Sequence, residues 1–328
     1  MITQHKPLDQ QTVVIIGASS GIGRETALQF ARAGSQIVVA ARSKHGIQTL
    51  VEEIKDIQGP GSHNVVGLTC DVKEREQLEA VANRAIAVFG KIDTWVHTAA
   101  VLIVANVEDT TEEEAKQIMD VNYMGVLRTI WTSIPHLKRT KGALIILGSV
   151  EGRRSVINHG LYATSKHAIK GTIEALRMEL YRDDAGVTVT EIIPPTMDTP
   201  FYDKARVKVD DGKYKYAGPP LIYTPNVAAE CILYAAQFPT KELYVGLAAS
   251  VLSKLQSIFP SILDKSMVYF GTLMEKTHYL KGNKDNFEEA FDDDSVNKSL
   301  GSWGAHSLSF SPYNWVVMKL PTWPFRWY

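Results

Sequence analysis

The chain has 328 residues, with 35 Lys+Arg against 36 Asp+Glu, 45% apolar residues and 22% charged ones. That apolar share supports a packed core and excludes a largely disordered chain, and a formal net charge of −1 gives no global reason to expect nucleic acid as a partner. Two cysteines, Cys70 and Cys231, stand far apart in no ligand-like spacing, which excludes a disulfide scaffold and a zinc cluster and fits a reducing, cytoplasmic setting with no metal site.

Met1 to Gln11 is polar and lacks the apolar core of a signal peptide. Val13 to Ile16 is a continuous apolar run, as a strand buried on both faces requires, and it leads into a glycine-rich turn. A helix follows, with Ala27, Phe30 and Ala31 on one face and Gly34 at its end. The alternation then repeats: strand Ile37 to Ala41, helix Lys44 to Ile57, strand Val65 to Leu68, helix Glu74 to Phe89 and strand Trp95-Val96. A long helix over Glu112 to Leu137 precedes strand Ala143 to Leu147, helix Tyr162 to Tyr181 and strand Val187 to Ile193. This order predicts an α/β fold of Rossmann type, a doubly wound parallel sheet with helices on both faces. After it, Thr196 to Pro220 reads as a long loop or small lid, Asn226 to Phe238 as a helix and Leu243 to Val245 as a last strand. Ala248 to Leu280 looks helical in pieces. Leu243 to Phe259 carries Ser250, Ser253, Lys254 and Gln256 and is shorter than the roughly 20 apolar residues of a spanning helix, so no membrane span is expected.

Gly17, Gly21 and Gly23 sit between the first strand and the first helix, where glycines let the backbone approach a pyrophosphate resting on the helix N-terminus. Their spacing, G-x-x-x-G-x-G, resembles the cofactor loop of the short-chain dehydrogenase/reductase family, and the match runs from about Thr12 to Gly246. An acidic residue at the end of the second strand would repel a 2′-phosphate; Ala41 stands there, followed by Arg42 and Ser43. A guanidinium matches phosphate geometry, and Arg24 adds charge nearby, so NADP(H) is expected over NAD(H). The other reading of Arg42 is a solvated strand-end residue. Asp71-Val72 resembles the family's adenine-contacting pair, and Asp71 reads equally as a helix cap.

Tyr162 and Lys166, four apart at the start of a helix, share one face, and an ammonium near a phenol lowers its pKa from about 10 toward working pH. Such a phenol exchanges a proton with a carbonyl or alcohol oxygen while hydride moves. Ser149 follows a buried strand at the same carboxyl edge of the sheet, where it can hold the substrate oxygen or cap a turn. Asn122 stands in mid-helix, a poor site for Asn by propensity. The resemblance implies that Asn122, Ser149, Tyr162 and Lys166 are catalytic, with Asn122 holding a water that links Lys166 to solvent. It also implies that Gly17, Ser19, Ser20, Gly21, Ile22, Gly23, Arg42, Ser43, Asp71, Val72, Ala99, Tyr162, Lys166, Pro194 and Thr199 bind the cofactor.

Two departures stand out. The family's Asn-Asn-Ala-Gly reads His97-Thr98-Ala99-Ala100, where His97 is better read as a tie between neighbouring strands than as a base, and its Pro-Gly turn reads Pro194-Pro195. The expected function is reduction of a small-molecule carbonyl, or the reverse oxidation of a secondary alcohol. Rival readings are a catalytically weak NADP(H)-binding regulatory protein and a peripheral-membrane reductase of a lipid-like substrate. Around the substrate, the loop offers Phe201, Tyr202, Tyr214 and Tyr216 among Lys204, Arg206, Lys208, Lys213 and Lys215, and Glu151, Arg153, Arg154, Asn158 and His159 are expected at the entrance. The two long helices resemble those through which the family dimerises, implying a homodimer or homotetramer. The map assigns residues 1–246, including the loop at about 196–220, to one reductase domain and leaves 247–328 as an extension. Four of the six tryptophans (Trp303, Trp315, Trp323, Trp327) lie there, where docking on the chain's own domain or a neighbouring subunit is favoured over a membrane contact, and Pro312, Pro321 and Pro324 argue against one continuous helix.

Overall fold

The structure is a computed structural model and describes residues 4–59, 61–209, 214–215, 221–274, 277–278, 285–290, 293–302 and 307–319. One sheet of seven parallel strands organises it: β1 (Thr12–Ile16), β2 (Gln36–Ala41), β3 (Val65–Thr69), β4 (Thr94–His97), β5 (Ala143–Leu147), β6 (Thr188–Ile193) and β7 (Glu242–Tyr244), in the order β7-β6-β5-β4-β1-β2-β3. The helices are α1 (Gly21–Arg32), α2 (Lys44–Gln58), α3 (Arg75–Phe89), α4 (Glu112–Met119), α5 (Gly125–Thr140), α6 (Gly160–Arg182), α7 (Pro225–Gln237), α8 (Gly246–Ile258), α9 (Pro260–Met274) and α10 (Pro312–Lys319). Apart from the helix expected over Glu112 to Leu137, the expected strands and the helices between them appear within a residue or two of their predicted bounds.

Because strand side chains alternate, β1 feeds two cores. Val14 and Ile16 pack with Leu78 and Val81 of α3, Ile130 of α5 and Ile173 of α6, while Val13 and Ile15 pack with Phe30 of α1, Leu50 of α2 and Ile232 of α7. A buried side chain of this kind contributes about 1.5–3 kcal/mol relative to an exposed one. Strand order reverses between β1 and β4, so the connections leaving their carboxyl ends diverge and open a crevice between them, the ligand position of a doubly wound sheet.

The predicted helix over Glu112 to Leu137 is interrupted. A π turn over Asp120–Met124 separates α4 from α5, and Asn122 stands inside it. Among the described residues, the predicted loop after Pro194 holds two short strands, Arg206–Val207, paired with Ile103–Val104, and Tyr214–Lys215, paired antiparallel with Thr277–His278. The C-terminal extension returns to the domain: Ser307–Leu308 pairs with Ile222–Tyr223, and Asn314 of α10 accepts from Gly246 N at 2.7 Å. Val317 joins the α7 side of the core, and Phe287, within an acidic stretch, is fully buried on the α3 side. Trp315 is 54% exposed, whereas Trp303, Trp323, Trp327 and Tyr216 lie outside the described residues.

Candidate active site

A cleft runs along the carboxyl edge of the sheet. Its middle is the glycine loop: Gly17, Ser19, Ser20, Gly21, Ile22 and Gly23 all line it. Gly17 adopts φ +85°, and a Cβ there would lie 2.6 Å from Ala99 N, so the loop can press against the β4 end only as glycine. Ser20 caps α1, and Lys204 from the loop after β6, itself only 5% exposed, donates from Nζ to Ser20 Oγ at 3.2 Å. An ammonium thus stands at the N-terminal end of α1, whose first N–H, Gly21 N, donates to Lys298 O at 2.9 Å; the cation and the positive end of the helix dipole together suit a pyrophosphate. The backbone cradle, this cation and the length of the cleft fit a dinucleotide.

One end is lined by Ala41, Arg42, Ser43, Cys70 and Val72. Arg42 donates to the carbonyls of Asn286 at 2.7 Å and Glu288 at 3.0 Å, so the extension holds its guanidinium in place, and Asn286 and Ala290 complete this wall. Ser43 caps α2 by accepting from Gly46 N at 2.9 Å. Asp71 is a turn cap, accepting from Lys73 N at 2.9 Å, and the cleft meets its neighbours Cys70 and Val72 instead. Arg24 faces away from the expected phosphate, donating to Gly46 O at 3.0 Å and Glu53 at 2.6 Å, because α2 packs directly over its helix.

The opposite end gathers Ala99, Ser149, Tyr162, Lys166, Pro194, Pro195 and Thr199, with Phe201 and Tyr202 closing over them. Ser149 and Tyr162 line the cleft together, and the Phe201 ring lies 5.7 Å from the Tyr162 ring. Lys166 Nζ donates to Leu147 O at 2.8 Å and lies 5.6 Å from the Tyr162 ring centroid. The expected lowering of the phenol pKa is reversed: burial first, and the Glu151 carboxylate second, push Tyr162 up, with only the Ser149 hydrogen bond opposing. Burial draws Lys166 down to about 8 against the pull of Glu191 and Glu151.

Asn122 is held by protein groups: its side chain accepts from Val101 N at 2.8 Å and donates to Val101 O at 3.0 Å and Ser165 Oγ at 3.1 Å. His97 ties β4 to α5 rather than to a strand, through Nδ1 and Thr129 Oγ1 at 2.8 Å, and burial lowers it to about 3, so it is a neutral core residue. The expected entrance residues are displaced as well. Glu151 and His159 pair with each other in the interior, Arg153 bridges Glu191 and Glu242, and Arg154 pairs with Asp264, because packing against β6 and α8–α9 turns this segment inward. The loop cations Arg206 and Lys208 pair with the chain's own Asp285, Glu288 and Glu114. Among the cleft residues that motif spacing does not assign to the cofactor are Lys204, Asn286 and Ala290; a lysine in a loop of mixed charge and two residues far down the chain carry no local signal.

The short chain dehydrogenase family model matches residues 11–210. The uncharacterized oxidoreductase YxnA of Bacillus subtilis is 36% identical over 276 residues, 84% of this chain and 74% of that protein. Dehydrogenase/reductase SDR family member 7B of Xenopus tropicalis is 29% identical over 271 residues, 79% of this chain and 85% of that one. Among solved structures, an alcohol dehydrogenase from the archaeon Thermococcus sibiricus, complexed with 5-hydroxy-NADP, aligns at a TM-score of 0.60 and 26% identity, covering 71% of this chain and 95% of that one. The 3-ketoacyl-(acyl-carrier-protein) reductase from Brucella melitensis, complexed with NADH, aligns at 0.62 and 25%, covering 73% and 97%. The glycine loop on β1, the Ser149, Tyr162 and Lys166 cluster at the far end of the same cleft, and a family match over most of the sheet lead to one conclusion: the chain is an oxidoreductase of the short-chain dehydrogenase/reductase family.

Proposed function

We propose that the chain interconverts a carbonyl and a secondary alcohol with NADP(H), with Tyr162 as general acid and base. The observation that supports this best is convergence: Ser149, Tyr162 and Lys166 stand on the same cleft as the glycine loop. A bound nicotinamide dinucleotide supplies or accepts the hydride. Ser149 donates to the substrate oxygen and holds it beside Tyr162, which gives that oxygen a proton in reduction and takes one back in oxidation. Lys166 keeps positive charge beneath the phenol, and Phe201 and Tyr202 exclude water. NADP(H) is favoured over NAD(H) by two features, the neutral Ala41 and the guanidinium of Arg42 fixed at the cleft wall. The related solved structures hold one cofactor of each kind, so the choice rests on these residues.

The reading takes residues 1–246 as one reductase unit with 247–328 as an extension, and a homodimer or homotetramer joined through α5 and α6, where Trp131, Met178 and Tyr181 stay exposed. The test is a fluorescence titration with NADPH and NADH, followed by a ketone and alcohol panel. Tyr162→Phe is expected to lower kcat by about 10²–10⁴-fold with NADPH affinity unchanged, and near-full kcat would overturn the assignment. A second reading, a catalytically weak NADP(H)-binding regulatory protein, draws support from the Lys166 bond to Leu147 O and the raised Tyr162. NADPH binding without turnover across the panel would select it.

A further inference from the structure

Two buried side chains beside Tyr162 have no part in the mechanism above. Glu151 is 6% exposed and His159 1%. The His159 Nδ1 lies 3.1 and 3.2 Å from the two Glu151 oxygens, so the ring N–H is shared by the whole carboxylate. Each residue is also built into an element that carries a reacting group. Glu151 N donates to Ser149 Oγ at 3.0 Å, and His159 caps the helix on which Tyr162 is the third residue. The pair therefore joins the Ser149 segment to the Tyr162 helix and places a carboxylate within coulombic reach of the phenol.

We propose that Glu151, held by His159, is a positioning residue that keeps the Tyr162 proton in place and thereby biases the site toward proton donation, the direction of carbonyl reduction. This rests on the assignment of Tyr162 as general acid and base. A negative charge beside a phenol opposes its ionisation, since the phenolate would be a second anion in the same low-dielectric space. The other charged and titratable groups around Tyr162 are few. Lys166 of α6 favours the phenolate, Glu191 of β6 is partly neutralised by Arg153, and His97 of β4 is held neutral. Burial draws Lys166 down, and Glu151 opposes that together with Glu191, so the same carboxylate favours the protonated form of both the acid and its cation. Oxidation needs the phenolate to accept a proton from an alcohol, so it would proceed only at the alkaline end of the pH range.

The experiment is an alkaline titration of tyrosinate absorbance in the intact protein. Subtracting Tyr162→Phe from wild type isolates the Tyr162 signal, and the same subtraction is made in a Glu151→Gln background. Glu151→Gln is expected to move that signal down by about one pH unit or more, while Glu151→Asp, which keeps the charge, titrates like wild type. NADPH-dependent reduction of 9,10-phenanthrenequinone gives a second readout, whose alkaline limb is expected to fall earlier in Glu151→Gln. Coincident Tyr162 titrations in the two backgrounds overturn the proposal, as does a Glu151→Asp curve displaced equally with Glu151→Gln. The parent reading fails separately, if Tyr162→Phe reduces the quinone at the wild-type rate. Melting curves of the variants separate a charge effect from loss of the fold.

Discussion

The Asn122 side chain closes a two-point clamp on the backbone of Val101, accepting from its N–H at 2.8 Å and donating to its carbonyl at 3.0 Å. The clamp fixes the segment after β4, whose residues Ala99 and Ala100 form the cleft wall. Asn122→Ala would leave both buried backbone groups without their partner, each at a cost of about 1–3 kcal/mol. A loss of about 2–4 kcal/mol in urea unfolding is expected, and Asn122→Asp should also lose stability because a carboxylate faces the Val101 carbonyl. An unchanged unfolding midpoint in both variants would show that the clamp carries little.

Arg42 donates to two carbonyls of the extension yet keeps further N–H groups. Arg42→Ala is expected to weaken NADPH binding about tenfold or more and to leave NADH within about twofold, the scale of a hydrogen bond to a charged group. Ala41→Asp should invert the preference. Equal affinities for the two cofactors in wild type, measured by fluorescence titration, would remove the basis of the NADP(H) reading.

Lys204 makes a different prediction because it stands at Ser20, where the two cofactors are chemically identical. Lys204→Met is expected to weaken NADPH and NADH alike, by about tenfold, through loss of one charge-assisted contact. A defect confined to NADPH would place the lysine at the 2′-phosphate instead.

His97 controls part of the acid limb of stability. Its folded-state pKa is lowered from 6.5 to about 3 by burial, with Lys166 adding to the effect. Between those values the unfolded chain binds a proton that the buried ring refuses, so this contribution is complete above pH 6.5 and is lost as pH falls toward 3. Between pH 7 and pH 5, chemical unfolding should show wild type losing about 1–2 kcal/mol more than His97→Gln. Parallel curves for the two proteins would rule out this source.

Most of the architecture is legible in sequence because a doubly wound sheet needs strands buried on both faces, and runs such as Val13 to Ile16 and Ala143 to Leu147 have no other economical use. The π turn is hidden because one extra residue in a helix barely disturbs the apolar period; only Asn122, a weak helix former held by tertiary hydrogen bonds, marks it. Tyr162 and Lys166 show a spacing that brings them to one face, but not burial, and burial together with Glu151 reverses the sign of the expected effect on the phenol. Glu151, Arg153 and His159 look like solvated entrance residues because charge near Ser149 reads as surface, and their compensating partners, Glu191 and Glu242 among them, come from other strands. Thr199 and Pro194 fall on the cleft as family spacing implies, whereas Asp71 accepts from Lys73 N in the turn before α3, whose N-cap position is held by Glu74.

The wall at the Arg42 end is completed by Asn286 and Ala290, and Gly21 N donates to the carbonyl of Lys298 at 2.9 Å. Gly17 and Arg42, by contrast, follow the first two strands, far upstream. A ribosome therefore delivers the two sides of one crevice well apart in time. An upstream portion that folds during translation would present its glycine loop with that side still open. Tight retention of a dinucleotide would then begin only after this later stretch has emerged and folded back across the sheet.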